Sequence, residues 1–336
     1  MHLHHINYDI PELGSWTDIH PDIKWLRMPL PMALDHINLY LLRDGDGWAV
    51  LDTGFYCDVT RDHWQTILSK LSQPLTRVIV THMHPDHIGC AGWLCESHNI
   101  DLYISQTEYF ATRALRAGAN GASDTGDKRY YQRAGYNAEQ ITQFTSGEGG
   151  FSKIVSPVPL NFQRLRGREI LHIGQHAWRL IEGNGHSPEH ISLYCEALNI
   201  LISGDHVLPD ITPNIGAYST QPDSNPLQMY LSSLEAFKAL PNTCLVLPSH
   251  RRPFIDPVSR VETIVEHHHQ HLARILAFCT SPKTILDIMG LMFPRKLDGA
   301  GYFFATAEAY AHVNFLLYKE QLIRGEKEGI YHYQTI

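Results

Sequence analysis

"VIVTHMHPDHIGCAGWL", residues 78–94, decides how this chain is read: an apolar β-type run ends in His82, His84, Asp86 and His87. Groups this polar are costly to bury unless something pairs with them. "RVIVTH" at 77–82 reads as a strand, and "CAGWLCESHN" after the histidines has the apolar spacing of a helix. A strand–loop–helix unit of this kind presents its loop at the carboxyl end of a strand, where open α/β sheets take their ligands. The simplest reason to gather imidazoles and a carboxylate there is a cation.

Working outward, "HINLYLLRDGDGWAVLD" at 36–52 reads as a β-hairpin, two alternating runs joined by a turn containing Asp-Gly. Further strands fall at 176–183, 191–205 and 244–250. A helix with Leu227, Tyr230, Leu231, Leu234 and Phe237 on one face lies between the last two. From 106 to 165 a mixture of Tyr, Arg, Gly and Gln reads as a cap of short helices, with Tyr109, Phe110, Arg113, Arg116, Tyr130, Tyr131 and Arg133 shaping a pocket. Three helices and a β tail follow, so the chain divides into a domain at 1–255, cap included, and a small helical domain at 256–336.

Four polar elements close β-type runs: "THMHPDH", "GNGHS" with His186, "SGDH" with Asp205 and "LPSH" with His250. Together they bring five imidazoles and two carboxylates to one sheet edge. His82 and His84 point to the same side of an extended segment and with His186 make a three-histidine site. Asp86, His87 and His250 make a second, and Asp205 is placed to bridge two divalent ions. Histidine and carboxylate donors suit zinc first, with iron and manganese open. A bridging hydroxide is the expected nucleophile, with Asp86 orienting it and accepting its proton.

Arg251 and Arg252 beside His250 read equally well as holding a substrate carboxylate or phosphate and as surface salt bridges. Tyr218 reads either as a donor to a developing oxyanion or as a packed loop residue. "EHHHQH" at 266–271 reads as a solvated helix face and "HLHH" at 2–5 as a terminal segment without catalytic meaning.

Composition narrows the class. Of 336 residues, 43% are apolar and 18% charged, and no uninterrupted apolar stretch spans a bilayer. The six cysteines form no C-x-x-C pair and the amino-terminal residues carry no basic-then-apolar leader, so a cytoplasmic protein with reduced thiols is expected. The formal charge of −8 offers nothing to nucleic acid or an anionic membrane. Residues 256–336 carry eight Lys or Arg against nine Asp or Glu, which leaves them without a footprint for DNA or RNA. A small-molecule substrate is expected, and the carboxyl-terminal module serves packing, homodimerisation or a pocket wall.

These motifs resemble those of the metallo-β-lactamase fold superfamily, in particular its glyoxalase II-like (hydroxyacylglutathione hydrolase-like) branch, over about residues 20–255. The resemblance implies an α+β chain folded as an αββα four-layer sandwich, with a dinuclear site at one edge. It implies for Asp52, in "LDTG", a role orienting a ligand histidine, and for the carboxyl-terminal helices a winged-helix-like extension. True β-lactamases of that family usually differ at the positions of Asp205 or His87, which disfavours antibiotic cleavage. Glu189 stands where the glyoxalase-type motif has its second glycine, and His186 follows His84 by 102 positions. The expected activity is hydrolysis of a small ester or thioester. Phosphodiester or RNA cleavage, a metal-bound sensor without turnover, and a di-iron redox protein are the alternatives.

Overall fold

The computed structural model describes residues 4–32, 34–118, 124–145, 150–295, 297 and 299–336. Strand β1 (His4–His5) is followed by β2 (Thr17–His20), β3 (Ile23–Pro29), β4 (His36–Asp44), β5 (Gly47–Leu51), β6 (Leu75–Ile79), β7 (Asp101–Ser105) and β8 (Gln163–Leu165). β2 to β8 lie side by side, in that order, as one seven-stranded sheet. A second sheet takes β9 (Ile170–Ile173), β10 (His176–Gly183), β11 (His190–Cys195), β12 (Ile200–Gly204), β13 (Leu245–Pro248) and β14 (Phe254–Ile255), in the spatial order β1-β14-β13-β12-β11-β10-β9.

The period-two alternation of strand side chains builds the layers. Along β4, Ile37, Leu39 and Leu41 face a core shared with helices Asp58–Lys70 and Ala91–His98, while Tyr40 and Leu42 face the second sheet. β11 repeats this from the other side: Ile191, Leu193 and Cys195 meet the first sheet, and Tyr194 turns outward to helix Pro226–Ser233 and the carboxyl-terminal helices. Three apolar seams therefore separate four layers, the expected αββα sandwich. β5 through β8 run parallel, as do β12 and β13, so the loops leaving β5, β6, β12 and β13 emerge at one rim.

The carboxyl-terminal residues form helices Pro257–Phe278, Ile285–Met292 and Gly299–Tyr318, then a hairpin of β15 (Leu322–Lys327) and β16 (Ile330–Thr335). Among the described residues, no helix is long and apolar enough to cross a membrane.

Several expectations are corrected. Pairing of β6 stops at Ile79, before His82, because Thr81 gives its N–H to the Asp52 carboxylate instead of to a strand. The sheets resume at Gln163 and Ile170, earlier than His176; these strands are half solvated, so their apolar alternation is faint. Within 106–165, helix Gln106–Arg116 leaves β7 directly, and its Tyr109 is buried against the first sheet's core. Tyr130 and Tyr131 are buried in the core that the carboxyl-terminal helices share, and Arg133 lies over the Tyr331 ring. The 266–271 run is a solvated face only in part. His268 is 1% exposed and meets His312 of helix Gly299–Tyr318 at 3.1 Å, because a helix packed between two others buries one residue of every such run. Residues 2 and 3 of the terminal run lie outside the described residues.

Candidate metal centre

Asp52 leaves β5 in the left-handed region, at φ 57°, and is almost fully buried. Its Oδ1 accepts the Thr81 N–H at 2.8 Å, and its Oδ2 accepts from the Thr81 hydroxyl at 2.9 Å and from His87 Nδ1 at 2.8 Å. That last bond puts the His87 proton on Nδ1 and leaves the Nε2 lone pair facing inward. The other rings are set the same way: His186 Nδ1 donates to the Asn214 carbonyl at 2.9 Å, and His250 Nδ1 to the His36 carbonyl at 3.0 Å. His82 Nδ1 lies 2.9 Å from the Thr81 hydroxyl oxygen. Pro85 opens the short helix Pro85–Ile88, a position that needs no amide donor, and this turn swings Asp86 and His87 in beside His82.

The inward atoms fall into two groups. His82, His84, His186 and Asp205 each offer one ligand atom within 4.8 Å of the others, and Asp86, His87 and His250 do likewise. In the first group His82 Nε2 stands 2.9 Å from His84 Nδ1 and 3.3 Å from His186 Nε2. In the second, Asp86 Oδ2 stands 3.4 Å from His250 Nε2 and 3.7 Å from His87 Nε2. Asp205 reaches both: Oδ2 is 3.5 Å from His186 Nε2, and Oδ1 is 3.5 Å from His87 Nε2 and 3.4 Å from His250 Nε2. Two ligands of one tetrahedral zinc, each about 2.1 Å from the ion, stand about 3.4 Å apart. His87 Nε2 and Asp205 Oδ1 are buried with no hydrogen-bond partner among the described residues. Lone pairs that converge without a donor between them fit a pair of cations.

The charge balance agrees. Burial disfavours the charged form of His82 and His84 and, with the neighbouring imidazoles, drives His82 well below its ordinary value and His84 to about 3. Burial also opposes charge on His87 and His250, but the carboxylates of Asp205 and Asp86 outweigh it and raise His250 to about 10. Carboxylates that attract a proton this strongly attract a divalent cation too. Gly204, at φ 55°, precedes Asp205, and a Cβ there would come within 2.4 Å of His190 Nε2. Glycine lets Asp205 pack against His190, which accepts the Asp205 N–H at 3.2 Å.

The remaining expected residues sit elsewhere. The Tyr218 hydroxyl donates to Asn214 Oδ1 at 2.8 Å and its ring stacks on Phe303. A proton engaged in this way does not serve an oxyanion, so Tyr218 braces the Asn214 loop that holds His186, in line with the packed reading. Arg251 gives its backbone N–H to His36 Nε2 at 3.2 Å, and Arg252 Nη1 donates to Asn7 Oδ1 at 3.3 Å. Among the described residues neither guanidinium pairs with a protein carboxylate.

One residue escaped the sequence reading. Glu108, fully buried, accepts the Met83 N–H at 2.9 Å with Oε2 and the Glu189 N–H at 2.7 Å with Oε1. A single carboxylate thus ties the loop of His82 and His84 to the loop of His186. Glu189 reciprocates, its Oε2 accepting the Thr107 N–H at 2.7 Å. An acidic residue in the first turn of a helix is ordinary, so only its tertiary partners reveal it.

The model of the metallo-beta-lactamase superfamily matches residues 33–250, and that of a metallo-beta-lactamase-like C-terminal domain matches 272–336. The chain is 23% identical over 334 residues to a probable metallo-hydrolase, YqjP, of Bacillus subtilis (strain 168), covering 92% of this chain and 96% of that protein. The crystal structure of a beta-lactamase domain protein from Burkholderia ambifaria aligns with TM-score 0.92 and 35% identity, over 99% of this chain and 98% of that one. A metallo-beta-lactamase family protein from Thermus thermophilus aligns with TM-score 0.80 and 27% identity, over 95% of this chain and 100% of that one. With the His and Asp cluster at the rim of an αββα sandwich, these matches place the chain in the metallo-beta-lactamase superfamily, to which it belongs.

Proposed function

We propose that this chain is a dinuclear metal-dependent hydrolase of small esters or thioesters, of the glyoxalase II-like kind, with zinc as the resident metal. The observation that carries the reading is Asp205, whose two oxygens face the two histidine groups separately. In it, His82, His84 and His186 would hold one cation and Asp86, His87 and His250 the other, with Asp205 placed to serve both. When bound, such a pair acidifies water and polarises the acyl oxygen under attack. Asp86, which faces His87 and His250 through Oδ2, would orient the attacking water and take its proton at its other oxygen, Oδ1. Asp52 holds His87 in the tautomer that ligation requires. Arg251 and Arg252 supply charge for an anionic substrate tail.

We take the substrate to be a small molecule, a reading that the formal charge of −8 supports. Loop 206–218 is packed between the insertion and the carboxyl-terminal helices: the Tyr130 hydroxyl donates to the Ala217 carbonyl at 2.9 Å, and the Ala217 N–H donates to the Ala307 carbonyl at 3.0 Å. Both segments therefore set the pocket wall behind His186, and the carboxyl-terminal module is winged-helix-like in its order of three helices and a hairpin. The test is a panel of thioesters, oxygen esters, lactones and phosphodiesters offered to zinc-loaded protein. Release of thiol or alcohol from acyl substrates, lost in His84→Ala, is expected; turnover confined to phosphodiesters sinks the reading.

A further inference from the structure

A second group of potential ligands lies far from this centre. His20 ends β2, Asp22 lies in the two-residue link to β3, and His176 opens β10 in the other sheet. One ligand atom from each falls within 4.8 Å of the others. Their side chains remain partly open to solvent, at 33%, 34% and 17% exposure. We propose that His20, Asp22 and His176 form a separate cation site that clips the two sheets together and takes a divalent ion of the zinc type.

The geometry is built, not incidental. A register shift between Asp18 and His20 re-aims the end of β2. The Asp22 carbonyl accepts the Arg43 N–H at 2.8 Å, and the Gly174 N–H donates to Asp44 Oδ1 at 2.9 Å. The turns that carry the ligands are thus both moored to the last two residues of β4. His176 Nε2 lies 2.8 Å from Asp22 Oδ2, which an ordinary imidazole–carboxylate hydrogen bond explains. His20 Nδ1 accepts the Asp22 N–H at 3.1 Å, which places a lone pair on that nitrogen, and the same atom faces Asp22 Oδ2 at 3.8 Å. Among the described residues no lysine or arginine pairs with Asp22, which leaves its charge to the two imidazoles. A cation seated against Asp22 Oδ2, between the two imidazoles, takes the His20 Nδ1 lone pair in place of the Asp22 N–H and the His176 Nε2 lone pair in place of its hydrogen bond to Asp22. The donor set of two imidazoles and one carboxylate, with open positions toward solvent, suits borderline transition-metal ions over magnesium or calcium.

The clip is independent of the catalytic reading. At its amino end β4 meets the first centre, where the His36 carbonyl holds His250; the clip is at its carboxyl end. Arg43 lies seven residue steps along the strand from His36, roughly 24 Å at about 3.4 Å per residue.

The test compares full-length wild type, His176→Gln and Asp22→Asn, each saturated with zinc, dialysed into one zinc-buffered solution and analysed for metal per chain. Wild type is expected to hold one more zinc per chain than either variant, and added zinc to raise its Tm while leaving theirs unmoved. Ester turnover should be the same in all three. Equal zinc content in wild type and His176→Gln overturns the proposal, whatever the first centre holds, because the quantity read is a difference. Should Asp22→Asn disturb its turn, the half-buried His176→Gln still answers.

Discussion

Asp205 faces His250 across 3.4 Å through Oδ1, while its other oxygen, Oδ2, faces His186. A single carboxylate therefore belongs to both histidine groups. Asp205→Asn should lower bound metal at both positions and reduce turnover by well over the roughly 10–100-fold that substitutions outside the ligand set cost. Metal analysis and steady-state kinetics check it. Two metals per chain and unchanged kcat in the variant would refute the bridging role.

Asp52→Asn keeps the size of the side chain but takes away the acceptor charge that holds His87 Nδ1 at 2.8 Å. A loss of about 10–100-fold in metal affinity is expected, larger for the group containing His87, which Asp52 touches directly, than for that of His82, which it reaches only through Thr81. A cobalt titration resolving the two sites reads this out; equal weakening of both contradicts the assignment.

Glu108→Ala leaves the Met83 and Glu189 amides without their acceptor inside the protein. Each orphaned donor costs about 1–3 kcal/mol, so the variant should unfold at markedly lower denaturant. Glu108→Gln keeps one carbonyl oxygen but turns an NH2 toward the other amide, and an intermediate stability is expected. If both variants match wild type in chemical denaturation, the carboxylate does not tie the loops.

Burial holds His268 neutral, pushing it down to about 2, and His312 down to about 4. The unfolded chain takes up these protons near pH 6.5, so between about 6.5 and 4 the unfolded state binds more protons and stability falls as pH falls. Each such histidine contributes a slope of about 1.4 kcal/mol per pH unit. His268→Leu should flatten the profile by about that amount while preserving the packing of helix Pro257–Phe278 on helix Gly299–Tyr318. Parallel profiles for wild type and variant would rule this out.

Residue by residue, legibility followed locality. His82, His84, Asp86 and His87 were readable because four metal-type side chains in six positions after an apolar run have few other uses. His186, Asp205 and His250 were readable because each closes a β-type run. Glu108 was hidden, since its partners Met83 and Glu189 are 25 and 81 residues away. The cap residues Tyr130 and Tyr131 misled because aromatic side chains suit a pocket and a core equally. His268 misled because the helical period alone does not tell which face meets another helix.

What the sequence determined by itself was the chemistry: alternating strands end in imidazoles and carboxylates, and that pattern persists whatever surrounds it. What tertiary structure decided was partnership. The parallel pairing of β5 with β6 and of β12 with β13 brings four loops to one rim. Only there do Asp52 and Glu108 acquire their roles, and only at the opposite end of β4 do His20 and His176 meet. Which donors share a cation depends on distances across the fold, and spacing along the chain does not encode them.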